Sequence, residues 1–137
     1  MKTLKTVLLA TAFAFVSATA LAHHSPEGFV DTHKTVEMKG VLTGVEFVNP
    51  HVHLHLAVKD ANGKLVYWTF EAVPPGWFRR AGIKQSDFTA AIGSEVTITG
   101  SPARDGSTYG SMQKLTLADG RTVSMGFGPA PAPGRVE

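Results

Sequence analysis

There is no cysteine in the chain. That absence removes disulfides, thiolate metal ligands, a thiol nucleophile and a lipid-anchoring cysteine, so the fold must rest on its own apolar core. Charge is sparse as well. Only 18% of residues are Asp, Glu, Lys or Arg, and 43% are hydrophobic, which excludes a charged disordered chain and leaves a globular protein of one domain. Catalytic signatures are missing too: the sequence holds no Gly-x-Ser-x-Gly elbow, no phosphate loop and no His-Glu-x-x-His, and a non-enzymatic role is expected. Asp31, Glu46 and Glu71 could serve a histidine in acid–base work, but carboxylates of this kind occur in any chain of this length. No internal repeat is present.

The first 22 residues have a character of their own. Lys2 and Lys5 make a basic start, Val7 to Val16 is apolar except for Thr11, and small residues follow. This is the layout of a secretory signal peptide, too short and wrongly flanked for a spanning helix. Two cuts satisfy the small-x-small rule, after Ala22 or after Ala20; the later one is preferred. It leaves 115 residues and removes two of the 13 basic side chains, which then match the 11 acidic ones. With no Arg-Arg pair near the start, the general export route and a periplasmic address are expected, with no membrane anchor after cleavage. The apparent basicity belongs to the signal, and a nucleic-acid partner is not expected.

The mature chain reads as strands. Thr35 to Val48 is rich in Val, Thr and Phe but contains Gly40 and Gly44, so one long strand bent or bulged at a glycine is predicted. After Asn49-Pro50, the stretch His51 to Lys59 alternates, with Val52, Leu54, Leu56 and Val58 on one face and His51, His53, His55, Ala57 and Lys59 on the other. Period two predicts a half-buried strand. Asp60-Ala61-Asn62-Gly63 turns the chain back into Lys64 to Glu71. Pro74 to Ile83 predicts one short helix, with Trp77, Phe78 and Ala81 inward and Gly82 as its stop. Further strands are predicted over 95–100, around Leu115 and Leu117, and over 121–125 after an Asp119-Gly120 turn.

The expected fold class is therefore mainly β: a small OB-fold-like barrel of five or six strands, with one short helix between strands 3 and 4. Another small β-sandwich or barrel remains compatible, because strand order does not determine pairing. The domain plan is a signal peptide over 1–22, an N-terminal arm over 23–34, the barrel over 35–125 and a Pro, Gly and Ala tail over 126–137. Trp77 and Phe78 are expected to plug one end of the barrel, with Arg79 and Arg80 on the solvent side near Glu71 or Asp87.

All six histidines survive cleavage. After a cut at Ala22, the α-amine and imidazole of His23 can chelate one ion, an arrangement suited to Cu(II); after a cut at Ala20, His23 stands third and can still form a square-planar site. On a strand, residues two apart face the same way at roughly 6.5–7 Å, so two of His51, His53 and His55 can converge on Cu(II) or Zn(II). The candidate metal ligands are thus His23, His24, His51, His53 and His55. No motif points to a catalytic residue or an organic cofactor.

A set of residues also carries a family likeness: Ala22-His23-His24-Ser25, the run Gly44-Val45-Glu46-Phe47-Val48-Asn49-Pro50-His51, Trp68 with Glu71, Arg79-Arg80-Ala81-Gly82, Gly93 to Thr99, and Asp119-Gly120-Arg121. Over most of 23–125 the chain resembles a bacterial family of small exported proteins classed as a domain of unknown function. The resemblance implies a periplasmic, single-domain, mostly β protein with no assigned activity, and His23, His24 and His51 match its pattern.

Two functions of different class are carried forward. One is a periplasmic Cu(II) or Zn(II) protein; the other is a non-enzymatic OB-like interaction module that binds a peptide, glycan or small ligand along its barrel face, with incidental histidines. The intact mass of the exported protein should correspond to a chain beginning at His23, and a mass for a chain beginning at Leu21 would place the cut after Ala20.

Overall fold

The structure is a computed structural model and describes residues 28–125. His23, His24, both cleavage positions and the Pro, Gly and Ala tail lie outside the described residues. Six strands and two helices run in the order β1 Val36–Glu46, β2 His53–Lys59, β3 Leu65–Glu71, α1 Pro75–Arg80, α2 Gln85–Ala91, β4 Glu95–Pro102, β5 Tyr109–Thr116 and β6 Thr122–Ser124.

The long first strand serves two partners. Its beginning pairs with β4, from Val36 opposite Gly100 to Val41 opposite Glu95, and its end pairs with β2, from Val41 opposite Ala57 to Glu46 opposite His53. The register slips between Leu42 and Gly44, the bulge expected from the glycines, and such an extra residue bends the strand and increases its twist. Strands β1, β2 and β3 form an antiparallel meander, β4 and β5 a hairpin, and β3 then meets β5 in parallel. That last pairing closes a five-stranded barrel of OB-like topology, to which β6 adds one strand on β5.

The predicted alternation holds through Leu56: Val52, Leu54 and Leu56 are fully buried, while His53 and His55 are half-buried on the opposite face; beyond it Ala57, expected outward, is buried and Val58, expected inward, is only partly buried. With Leu42, Phe70, Val96, Ile98, Met112 and Leu115 they form the core. Each such side chain taken out of water contributes about 1.5–3 kcal/mol.

The segment between β3 and β4 differs from the expected single helix. Helix α1 begins at a Pro pair and stops at Ala81 and Gly82, where Gly82 takes φ +78°. A second helix, α2, follows at once. Its N-cap position is Lys84, not Ser, Thr, Asp or Asn, so the usual start signal is missing. The start is instead secured by Asp87, whose Oδ2 accepts from the Lys84 backbone N–H at 2.7 Å.

The aromatic plug also differs. Phe78 and Phe88, one from each helix, are fully buried with ring centroids 4.9 Å apart, and both pack on Phe47. Trp77 remains 38% exposed beneath the Arg80 guanidinium, which lies 5.5 Å from its ring centroid. Consecutive helical residues point about 100° apart; with Phe78 aimed into the core, Trp77 falls at the edge of the buried face, and Ala81, also expected inward, is exposed. Nor do Glu71 and Asp87 take up Arg79 or Arg80. Asp87 pairs with Arg121 at 3.1 Å, and Glu71 has partners described below.

Ahead of β1, Val30 bridges to Ala103 and is almost fully buried. Asp31 donates its backbone N–H to Pro102, while Phe29 and Val30 accept from the backbone and the Nε of Arg104. The arm is thereby pinned where β4 ends.

Close approach of β4 to β5 makes a testable demand. A Cβ on Gly100 would fall on the backbone carbonyl of Ser111, which cannot step aside, whereas one on Gly44 would meet only His55 Cδ2 at 3.5 Å. Gly100→Ala should cost about 1–3 kcal/mol, and Gly44→Ala should stay within about 0.5 kcal/mol. Urea unfolding of the two variants compares them.

Candidate functional site

Cross-strand register assembles the site. Residues facing each other across a ladder share a face of the sheet. On the outer side of the barrel two rows run across four strands: Glu46, His53, Glu71 and Ser111 in one, Gly44, His55, Thr69 and Tyr109 in the other. His53 is thus set between an acidic residue of β1 and an acidic residue of β3, and His55 between Gly44 and Thr69.

Each histidine meets a different environment. His51, in the turn leading into β2, places Nδ1 against Glu71 Oε1. The other carboxylate oxygen of Glu71 accepts from the Tyr109 hydroxyl at 2.7 Å. An ionised carboxylate only accepts, so His51 donates through Nδ1, which leaves Nε2 to face another partner. Among the described residues Nε2 has none.

His55 is fully engaged. Its Nε2 lies 3.2 Å from Glu46 Oε1 and its Nδ1 lies 3.1 Å from the Thr69 hydroxyl. Nε2–H donates to the carboxylate, which can only accept, and both ring nitrogens thus have partners among the described residues.

His53 is the opposite case. Its Nδ1 is buried without a hydrogen-bond partner among the described residues, and the Glu46 Oε2 beside it, at 3.9 Å, lies beyond hydrogen-bond range. An unsatisfied buried nitrogen costs about 1–3 kcal/mol. The ring leans toward Tyr109, centroid to centroid 6.5 Å.

The predicted ligands therefore divide. His51, His53 and His55 share one face, but among the described residues no three His, Asp or Glu side chains converge to hold a metal ion. Carboxylates hold His51 and His55 apart, and His23 and His24 lie outside the described residues. Tyr109, Thr69 and Phe29 were not candidates in the sequence. Glu71 and Glu46 were only two carboxylates among several, and their role follows from standing opposite His53.

Beside this cluster lies an open cleft of about 420 Å³, lined by Phe29, Glu71, Ala103, Asp105, Ser107 and Tyr109. Phe29 and Tyr109 meet edge to face at 5.7 Å and 62°. Burial, reinforced by the Glu71 carboxylate, pushes the Tyr109 phenol well above its ordinary value, so it stays a donor across the physiological range. The Ser107 hydroxyl and backbone N–H hold the Asp105 carboxyl below its ordinary value, which keeps it charged.

The model of a family of unknown function, DUF6152, matches residues 12–113, and the chain belongs to that family. No curated protein and no solved structure matches it.

The Tyr109–Glu71 bond has a pH signature with a definite sign. Above about pH 10 an unfolded tyrosine loses its proton while the folded Tyr109 keeps it. The folded state then binds more protons than the unfolded one, and stability must fall as pH rises through that window up to the folded value. Glu71→Gln removes the neighbouring charge and should lower the ionisation pH of Tyr109. Chemical shifts of ring-labelled tyrosine during alkaline titration would show it, and an unchanged midpoint would contradict the assignment.

Proposed function

We propose that the chain is an exported periplasmic protein that binds Cu(II) or Zn(II) on the outer face of its barrel, using the mature N-terminus and β2. The observation that carries this reading is the run Tyr109–Glu71–His51. A metal-binding imidazole commonly donates its second nitrogen to a carboxylate that is itself hydrogen-bonded, which orients the ring and raises its basicity. His51 has this support, and its Nε2 has no partner among the described residues.

His53, with its unpartnered nitrogen, stands next to it in the chain alternation. His55, spent on Glu46 and Thr69, acts as a neighbour that orders the face, not as a ligand. The remaining ligands would come from His23 and His24. The arm that leads back to them is pinned at Phe29 and Val30, with the Phe29 ring against Tyr109. Four residues lie between His24 and Phe29, so the five steps of chain reach at most about 18 Å from the ring that packs on Tyr109. Nitrogen donors of this kind suit Cu(II) and Zn(II) over magnesium or calcium. The alternative of a ligand-binding module without metal has one observation in its favour, the cleft beside Tyr109.

Calorimetric titration of the exported form with Cu(II) and with Zn(II) tests the proposal. Sub-micromolar binding, worth about 8 kcal/mol or more, is expected for one of the two metals. His23→Ala and His51→Ala should each weaken it at least about tenfold, and Tyr109→Phe, which loses only the outer hydroxyl, by about tenfold. Binding no tighter than about 10 μM, or affinity indifferent to both histidine changes, would end the metal reading.

A further inference from the structure

The cleft between the N-terminal arm and the 103–108 loop has a chemistry of its own. Among the described residues its charged lining groups are Glu71 and Asp105, with no lysine or arginine among them. Both carboxylates are held in position, Glu71 by Tyr109 and His51 and Asp105 by the backbone N–H of Ser107 at 2.9 Å. Arg104, between two lining residues in sequence, directs its Nε to the carbonyl of Val30 at 2.9 Å.

Carboxylates alone would be a solvated patch. What makes this surface concave and partly apolar is the aromatic pair: Phe29, 39% exposed, stands edge to face with Tyr109 and forms a wall together with Ala103. A volume of 420 Å³ lies within the range of small-ligand sites, which combine apolar walls with a few placed polar groups. A ring face attracts a cation through its quadrupole, and two like charges at the rim repel an anion.

We infer that this cleft binds a small organic cation, a primary ammonium or guanidinium carried on an apolar body. The cationic head lies toward Asp105 and Glu71, and the apolar part against Phe29 and Tyr109. The site is separate from the proposed metal ligands and does not require a metal. It shares Glu71 and Tyr109 with the hydrogen-bond run that supports His51, and none of the proposed ligands among the described residues lines it.

Titration of the isotope-labelled exported chain with 2-phenylethylammonium, in the presence of a chelator at pH 8, tests it by NMR. Saturable shifts are expected at Phe29, Asp105, Ser107 and Tyr109, with a Kd of about 1–10 mM for a probe of this size. The neutral 2-phenylethanol and the anionic phenylacetate should bind at least about tenfold more weakly. Asp105→Asn, which keeps the turn's acceptor oxygen and removes the charge, should weaken the ammonium at least about threefold without improving the alcohol. Phe29→Leu should weaken both the ammonium and the alcohol. Equal affinity for ammonium and alcohol, shifts located elsewhere, or an Asp105→Asn variant that binds as before would each overturn the inference. Should the variant fail to fold, the comparison of ammonium with alcohol on the unaltered chain decides. The chelator makes the outcome independent of metal binding.

Discussion

Three residue pairs close this molecule. Thr69 opposite Tyr109, Phe70 opposite Gly110 and Glu71 opposite Ser111 form the short parallel ladder between β3 and β5, and without it the meander and the β4–β5 hairpin would be joined only through β1. The ladder works because of what stands inside it. Phe70 is fully buried, and a Cβ on Gly110 would lie 2.9 Å from its ring and 2.8 Å from the Ser101 carbonyl. Glycine at 110 lets β5 approach both neighbours at once. Core packing and barrel closure are therefore one constraint.

The outer consequence of the same ladder is the chemistry. Pairing β3 with β5 brings Tyr109 alongside Thr69 and lets its hydroxyl reach Glu71 at 2.7 Å. Glu71 then holds a donor on each oxygen, Tyr109 on one side and His51 on the other. A carboxylate so held is a fixed charge and not a mobile surface group, which makes it useful in two directions: orienting an imidazole on one side, lining a cleft on the other. The arm adds the last wall by laying Phe29 on Tyr109. Both proposed activities thus depend on a pairing whose first purpose is to seal the core.

Much of the β meander was legible in the residues. Alternation on β2 separated Leu54 and Leu56 from the histidines, and Asp60 to Gly63 set a turn whose register, counted outward, puts His53 opposite Glu71. The glycines of β1 announced its bulge. Helix α2 was missed because its start depends on Asp87 reaching back to a lysine backbone N–H, a weak signal in sequence. Trp77 was misplaced because aromatic character indicates burial without saying which of two adjacent residues faces inward. Three histidines in register suggested a shared ligand set, whereas the fold gives His55 both of its partners from β1 and β3 and leaves His51 and His53 as the less committed pair.

Local pattern, then, determined the strands of the meander, the turns between them and the outward row of histidines, because alternation and turn chemistry act between residues close in the chain. Tertiary structure alone decided that Tyr109 meets Glu71 across 38 positions, that Phe29 backs Tyr109, and that a cleft opens beside them. A parallel ladder between strands separated by two helices and a third strand leaves no mark in local sequence, since its partners are chosen by how the core closes and not by any neighbour along the chain.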